Sequence, residues 1–181
     1  MPEPSRGQGE LSAPLPILLV TVETNVEHEV DGAQGERPRL YVASPLGFTE
    51  PTRRFYREEL LPSLRAAGFE VLDPWAGPVG PNGPSLAHGE NNVRLLDRAN
   101  GVLAVLDGPD VDSGTAAEIG FAAAKGIPIV GVRTDARRTG ESEAVTVNLQ
   151  VEYFIRRDGG TIVRTFTSAI ETLRELVSTQ R

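Results

Sequence analysis

The stretch from Val102 to Lys125, VLAVLDGPDVDSGTAAEIGFAAAK, constrains the fold more than any other part of the chain. It opens with five residues that carry no polar side chain, which is typical of a parallel strand covered on both faces. An acidic loop follows, and then a helix that is predicted to start near Gly114 and to end at Gly126. Open α/β sheets bind their ligands just beyond the carboxyl ends of such strands. The stretch therefore predicts both a fold class and the place of a site.

The rest of the chain alternates short apolar runs with amphipathic segments. Strands are predicted at 40–43, 69–72, 102–106, 127–132 and 161–163, and helices at 49–67, from about 85 or 91 to 99, at 114–125, 145–156 and 168–178. This alternation predicts one doubly wound α/β domain over residues 39–181, with a mainly parallel five-stranded sheet. Residues 1–38 are predicted to be an N-terminal extension, partly disordered and with one strand within 16–30.

Charge and residue counts exclude several classes of function. The formal net charge of −7 argues against nucleic acid or an anionic membrane as the main partner. The chain has no cysteine and only two histidines, neither in a recognisable motif, so no metal or other cofactor is expected. The apolar run at 15–22 is too short to span a bilayer and follows no basic region, which leaves a cytoplasmic location as the expectation.

Two acids of the central stretch are candidates for chemistry. Glu118 falls near a helix N-terminus, where the helix dipole stabilises a carboxylate that could attack an electrophilic carbon. Asp112 stands in the preceding loop, and two carboxylates with different pKa values are typical of glycosyl chemistry. On spacing alone, the simpler interpretation is that Asp112 or Ser113 caps the helix and that Glu118 is solvated. That helix is predicted to turn its small residues toward the sheet, namely Ala116, Ile119, Gly120 and Ala123.

Three segments resemble the nucleoside 2-deoxyribosyltransferase family. The run DSGTAAEIGFAAAKGIPIVGVRTD is similar to the signature of that family, LYVASPLGF to its first strand and loop, and NNVRLLDRANGVLAVLDG to the helix and strand before the acidic loop. The resemblance covers about Arg39 to Ile155. It implies a flavodoxin-like fold and a double displacement, in which a glutamate attacks C1′ of a 2′-deoxynucleoside and a second base takes the sugar with retention.

The resemblance also implies roles for individual residues. Glu118 matches the nucleophile, Asp112 the acid that protonates the departing base, and Tyr41 the tyrosine whose hydroxyl steadies the nucleophile. Without the resemblance, Tyr41 would be interpreted as a sheet-end tyrosine bonded to water. Asn92 stands where several family members carry aspartate, and it would contact the sugar or the base; a helix cap is the alternative.

The segment VNLQVEYFI resembles the part of family members that enters the pocket of a neighbouring subunit. Asn148 would then contact the sugar 5′-hydroxyl, with Gln150 close by, and the site would be completed only in a homo-oligomer. By itself, Asn148 would be a turn or cap residue.

Weaker candidates surround the same edge. Ser44, Phe48 and Gly114 are predicted to bind substrate, and Phe48 could stack on a base. Trp75 could equally be packing. The simplest interpretation of five charged residues is a solvated loop or turn: Asp107, Asp110, Arg133, Asp135 and Arg138.

Three functions are compatible with these residues. The first is an enzyme that exchanges bases between 2′-deoxyribonucleosides, with nucleosides and free nucleobases as partners. The second is an N-glycoside hydrolase of nucleoside 5′-monophosphates, which Ser44 and the arginines after the fourth strand favour, whereas Asn148 favours nucleosides. The third is a non-enzymatic nucleotide-sensing module. The presence of Tyr41, Asp112 and Glu118 together argues against a sensor.

Overall fold

The structure, a computed structural model, describes residues 36–77 and 84–179. Its centre is a parallel sheet of five strands in the order β2-β1-β3-β4-β5. The strands are β1 (Arg39–Ala43), β2 (Glu70–Leu72), β3 (Gly101–Val105), β4 (Ile129–Val132) and β5 (Thr161–Val163). The predicted α/β fold is therefore confirmed, and the strand order is the flavodoxin-like one. The N-terminal extension predicted for residues 1–38 lies almost wholly outside the described residues, and its strand at 16–30 lies wholly outside them.

The described helices cover both faces of this sheet. They are α1 (Glu50–Phe55), α2 (Leu61–Ala66), α3 (Ser85–Leu96), α4 (Ser113–Ala124), α5 (Leu149–Arg156) and α6 (Phe166–Ser178). A π-helical segment, Tyr56–Leu60, joins α1 to α2, just before Pro62, which has no N–H to continue the helical ladder. Within residues 36–77 and 84–179, no helix combines the length and the hydropathy needed to cross a bilayer.

Strand β3 divides the apolar core into two halves. Val102 and Ala104 pack with the side chains of α3, α4 and α5, whereas Leu103 and Val105 pack with those of α1, α2 and α6. Tyr41 of β1 lies on the α3–α4 face, in register with Val102. Because the connections after β1 and β3 leave toward opposite faces, a crevice opens at the carboxyl ends of these two strands. That crevice positions the candidate site.

Most of the predicted elements are confirmed, with bounds that shift by a few residues. The helix expected from residue 145 begins only at Leu149, because Asn148 caps it. The buried side of α4 was predicted correctly for Ile119 and Ala123, whereas Ala116 and Gly120 are only half-buried. Phe154 of α5 lies against Gly120, and the buried side of α4 also includes Thr115 and Ala122.

Candidate active site

Glu118 lies in the second turn of α4 and accepts two hydrogen bonds. The Tyr41 hydroxyl donates to its Oε1 at 2.7 Å, and Asn92 Nδ2 donates to the same oxygen at 3.0 Å. The interpretation of Glu118 as a solvated helix residue is wrong. The helical side that carries it also carries Thr115 and Ala122, and both of these residues are buried.

Burial dominates the electrostatics of this group. It raises the pKa of Glu118, the bonds from Tyr41 and Asn92 oppose that rise, and the negative charge of Asp112 adds to it. Burial and the neighbouring Glu118 also raise the pKa of the Tyr41 phenol well above its ordinary value. Tyr41 therefore remains a donor throughout the neutral range, and Glu118, once ionised, is its acceptor.

Asp112 is the N-cap of α4, as one interpretation of the sequence predicted. Its Oδ2 accepts from the backbone N–H of Thr115 at 2.9 Å and from the Thr115 hydroxyl at 3.3 Å. Its other oxygen, Oδ1, accepts no bond from the described residues. The cap thus fixes the carboxyl at the mouth of the crevice and leaves one oxygen to meet a ligand.

Asn92 lies inside α3, so the helix-cap interpretation of this residue is wrong. The helix begins at Ser85, and Pro84 holds the N-cap position. Because it lies in the helix interior, its amide extends sideways to Glu118 of the adjacent helix. An ionised aspartate here could not donate that bond, since a carboxylate is only an acceptor.

Two aromatic rings stand at the carboxyl ends of β1 and β2. Phe48 meets Trp75 edge to face, with ring centroids 4.8 Å apart. The exposed fractions are 66% for Phe48 and 37% for Trp75, so each ring keeps a surface that could contact a ligand. Gly47 leaves room for the indole, because a Cβ at residue 47 would overlap with it.

A second tyrosine and carboxylate pair, which was not predicted from the sequence, lies near the first. The buried Tyr56 hydroxyl donates to Asp73 Oδ1 at 2.7 Å, and the backbone N–H of Trp75 donates to the same oxygen at 2.9 Å. Burial and Asp73 raise the pKa of Tyr56. The pair fixes the turn that carries Trp75. The available signal was the place of Asp73, which directly follows β2 at the ligand edge of the sheet.

Asn148 caps α5, which confirms the simpler of its two interpretations. Its Oδ1 accepts from the backbone N–H groups of Gln150 and Val151, at 3.0 and 3.3 Å. Its Nδ2 donates to Glu141 Oε1 at 2.7 Å. Both polar atoms are therefore engaged within the chain, and the predicted contact with a neighbouring subunit requires at least the Glu141 bond to open. Gln150 is exposed in the first turn of the helix.

Two further candidates have local structural partners. Ser44 is buried, and its hydroxyl accepts from the backbone N–H of Leu46 at 3.1 Å, which caps the short turn Pro45–Gly47. Gly114 is exposed in the first turn of α4, beside Asp112. Both lie at the ligand edge, but the structure brings neither into contact with Glu118.

Arg133 was predicted to belong to a solvated loop, and this is wrong. The side chain is 0% exposed. It donates to the carbonyl oxygens of Leu106, Gly108 and Arg137, with distances of 3.1 Å to Gly108 and 2.9 Å to Arg137. The guanidinium of Arg133 can be buried because these carbonyl oxygens accept the hydrogen bonds that water would otherwise accept.

Asp107, in the acidic loop after β3, accepts hydrogen bonds from the loop after β4. Asp107 accepts from the backbone N–H groups of Thr134 and Asp135, at 2.6 and 2.8 Å, and from the Thr134 hydroxyl at 2.6 Å. Arg133 and Asp107 therefore brace the loops after β3 and β4 against each other. Asp135 and Arg138 remain loop residues, the first paired with Arg137 and the second bonded to backbone carbonyls.

One known family matches most of the described chain. The family model described as nucleoside 2-deoxyribosyltransferase matches residues 40–153, which is more than half of the chain. The chain belongs to the nucleoside 2-deoxyribosyltransferase family. The matched range contains all three residues of the Tyr41–Asn92–Glu118 cluster and the Asp112 cap.

One relative of this family member is an uncharacterised protein of Schizosaccharomyces pombe. It is 34% identical over 110 residues, which are 55% of this chain and 52% of that protein. The chain therefore spans about half the length of this curated relative.

Solved structures share the fold. A conserved protein from Enterococcus faecalis V583 gives a TM-score of 0.64 at 24% identity, over 77% of this chain and 98% of that one. A 2-desoxiribosyltransferase from Leishmania mexicana gives 0.62 at 19% identity, over 76% and 97%. A CMP N-glycosidase from Clostridium botulinum gives 0.51 at 19% identity, over 76% and 98%. At these identities the three likenesses show a shared fold.

Proposed function

We propose that this protein transfers 2-deoxyribose between nucleobases by a retaining double displacement, with Glu118 as the nucleophile. The observation that carries the proposal is the bond from the Tyr41 hydroxyl to Glu118, at 2.7 Å. A carboxylate held by a phenol in a half-buried crevice is restrained in orientation and partly stripped of water. Both conditions favour its attack on an electrophilic carbon.

In the first half of the reaction, a Glu118 oxygen forms a bond to C1′ while the C1′–N bond to the base breaks. The electron pair of that bond leaves with the base, and the Asp112 carboxyl supplies a proton to the base nitrogen. In the second half, a nitrogen of the incoming base attacks C1′ from the face that the first base left. The Glu118 ester bond breaks, and Asp112 takes back one proton. Two inversions at C1′ give net retention.

The remaining substrate contacts are assigned by position in the crevice. Phe48 and Trp75 offer exposed aromatic surface on which a base could stack. Ser44 and Gly114 lie at the same edge of the sheet, and Asn92 reaches the crevice through its bond to Glu118. No cofactor is required, because each proton and electron pair in these steps has a place among the reactants and Asp112.

A homo-oligomer is part of the proposal. Asn148 and Gln150 of one subunit would complete the sugar site of its neighbour, as the resemblance to the family implies. In the single chain, the Asn148 amide is bonded to Glu141, so assembly would exchange that bond for one to the sugar 5′-hydroxyl. The partner is therefore a second copy of this chain.

The second candidate is hydrolysis of the N-glycosidic bond of nucleoside 5′-monophosphates. It rests on one observation, which removes the argument that Asn148 selects nucleosides. The residue expected to select nucleosides, Asn148, is used as a helix cap, and its capping bonds do not distinguish a hydroxyl from a phosphate at the 5′ position. In that reaction water, rather than a base, would attack C1′ of the glycosyl ester and leave its second proton with Asp112.

One pair of incubations separates the candidates. The protein is mixed with deoxyinosine and free adenine, and separately with dCMP or dGMP alone, and products are followed by chromatography. Deoxyadenosine from the first mixture supports base exchange. Free base that forms only from a monophosphate supports the hydrolase, and the absence of turnover in all mixtures supports the nucleotide-sensing module. Glu118→Ala serves as the control for contaminating activity.

A further inference from the structure

Tyr41 and Asn92 donate to the same oxygen of Glu118. One donor comes from strand β1 and the other from helix α3, and they reach Oε1 at 2.7 and 3.0 Å. The second oxygen, Oε2, accepts no bond from residues 36–77 or 84–179. Two donors from different elements fix the carboxylate plane, whereas one donor would leave it free to rotate.

We propose that Asn92 is a positioning residue, which with Tyr41 holds Glu118 by Oε1 and so leaves Oε2 as the oxygen that attacks C1′. This inference rests on the proposed function. In the glycosyl ester, Oε2 becomes the bridging oxygen and Oε1 the carbonyl oxygen. The carbonyl keeps both donors, and they stabilise the carboxylate again when the second base displaces it.

The amide of Asn92 suits this position because it donates at every pH. An aspartate in its place would put a second carboxyl about 3 Å from Oε1, the present Nδ2 distance. Two carboxyl groups that close share a proton, because both cannot ionise together. Because an amide does not ionise, Glu118 shares no proton with Asn92. The reactive carboxylate then forms by the loss of a single proton from Glu118.

The titratable groups around Glu118 come from several elements. Tyr41 faces it from β1 and Asp112 from the start of α4, and Asp112 is the one whose charge raises the pKa of Glu118. Tyr56 and Asp73 act mainly on Tyr41, from beyond the phenol. His88 stands one turn before Asn92 on α3 and is half-buried.

The first test follows the Glu118 carboxyl itself. Protein labelled with ¹³C at glutamate Cδ is titrated by NMR, and the Glu118 signal is identified by its loss in Glu118→Gln. In Asn92→Leu the midpoint should move to higher pH by about one unit, because a bond to the charged form is lost. In Asn92→Asp it should move at least as far and show two coupled steps.

The matched control is Asn100→Asp, which adds the same charge elsewhere. Asn100 Oδ1 accepts a hydrogen bond from the backbone N–H of Arg39 at 2.8 Å. An aspartate at residue 100 keeps an oxygen that can accept this bond. This variant should leave the Glu118 midpoint unchanged. A midpoint that is the same in wild type, Asn92→Leu and Asn92→Asp, with thermal unfolding showing all three folded, would overturn the proposal.

The second test shows which oxygen reacts. A 2-fluoro-2-deoxyarabinosyl nucleoside slows the second displacement, because fluorine disfavours the positive charge that develops at C1′. In a crystal structure of the trapped ester, the bridging oxygen should be the one turned away from Tyr41 and Asn92. A bridging oxygen within hydrogen-bond distance of Asn92 would contradict the inference. Since the titration uses no substrate, a midpoint shift without turnover would refute the proposed function and leave the positioning of the carboxylate standing.

Discussion

At the scale of single residues, the main result is that two side chains distant in sequence, those of Tyr41 and Asn92, donate to one carboxylate oxygen of Glu118. Glu118 and Asp112 could be named as candidates from an acidic loop that precedes a helix, but spacing alone favoured a cap and a solvated residue, and their roles came from the resemblance to a family. The contact from Tyr41 could be proposed only through the resemblance to a family, since it joins residues 77 positions apart. The cap at Asn148 was one interpretation of the sequence, whereas the burial of Arg133 depends on loop conformations that no local pattern encodes.

Tyr41→Phe removes one donor and changes the shape of the site little. The rate of base exchange should fall by about 10- to 100-fold, which corresponds to the free energy of a hydrogen bond to a charged group. The acid limb of the pH–rate profile should move to higher pH, because the lost bond favoured the ionised form of Glu118. Tyr56→Phe is the matched control, since its hydroxyl bonds to Asp73 instead. An equal acid-limb shift in both variants would contradict the assignment.

Glu118→Gln should abolish activity and stabilise the fold. The loss of rate should be on the order of 10⁴-fold or more, as expected for a nucleophile. Burial raises the pKa of Glu118 in the folded state. The free energy of unfolding therefore falls as pH rises from about 4.3, the ordinary pKa of a glutamate, through the raised pKa of the folded state. At neutral pH the glutamine variant should therefore unfold at a higher temperature than wild type. Below about pH 4 the difference should vanish. Calorimetry across this range is the measurement, and a variant less stable at pH 7 would be evidence against the burial argument.

At the scale of elements, the sequence predicts strands and helices well and predicts loops poorly. The apolar runs of the sequence predicted all five described strands. A parallel strand covered on both faces consists mostly of apolar residues, so it is visible in the sequence. The buried side of α4 was predicted only in part, because its position at Gly120 lies against Phe154 of the neighbouring helix. The brace between the loops after β3 and β4 was missed because a charged residue in a loop is usually solvated. Here Arg133 is enclosed by carbonyl groups instead.

Arg133→Met should destabilise the fold by about 3 kcal/mol or more, because buried carbonyl oxygens lose their donor. Its matched control is Arg138→Met in the same connection, whose exposed guanidinium also bonds to backbone carbonyls and should contribute less than about 1 kcal/mol. Urea unfolding gives both values. Equal unfolding midpoints for the two variants would show that burial of Arg133 contributes no stability.

At the scale of the whole molecule, the strand order explains where the chemistry can occur. The order 2-1-3-4-5 opens a crevice between the ends of β1 and β3, and Tyr41 and Asp112 stand on the two sides of it. The fold and the general place of the site thus follow from the pattern of elements. The proposed assembly does not, because no periodic signal in the sequence marks a surface for a second copy.

Mixed oligomers test the proposed role of Asn148 in a neighbouring site. Asn148→Ala should cost about 1 kcal/mol as a lost helix cap and should also lower activity. If Asn148 acts on the neighbouring subunit, mixing the Asn148→Ala protein with the inactive Glu118→Gln protein should restore part of the activity. In a mixed oligomer, one site combines an intact Glu118 from one subunit with an intact Asn148 from the other. Activity equal to the sum of the separate variants would place Asn148 in its own subunit or outside the site.

The central claim is that Glu118 carries the sugar during turnover, and intact-protein mass spectrometry tests it most directly. The protein is mixed with deoxyinosine without an acceptor base and quenched within the first turnover. We predict a mass increase of one deoxyribosyl group, mapped by peptide analysis to Glu118, and the loss of this adduct when adenine is added. Base release in Glu118→Ala at a rate within about tenfold of wild type, a difference of about 1.4 kcal/mol in the barrier, would contradict the account.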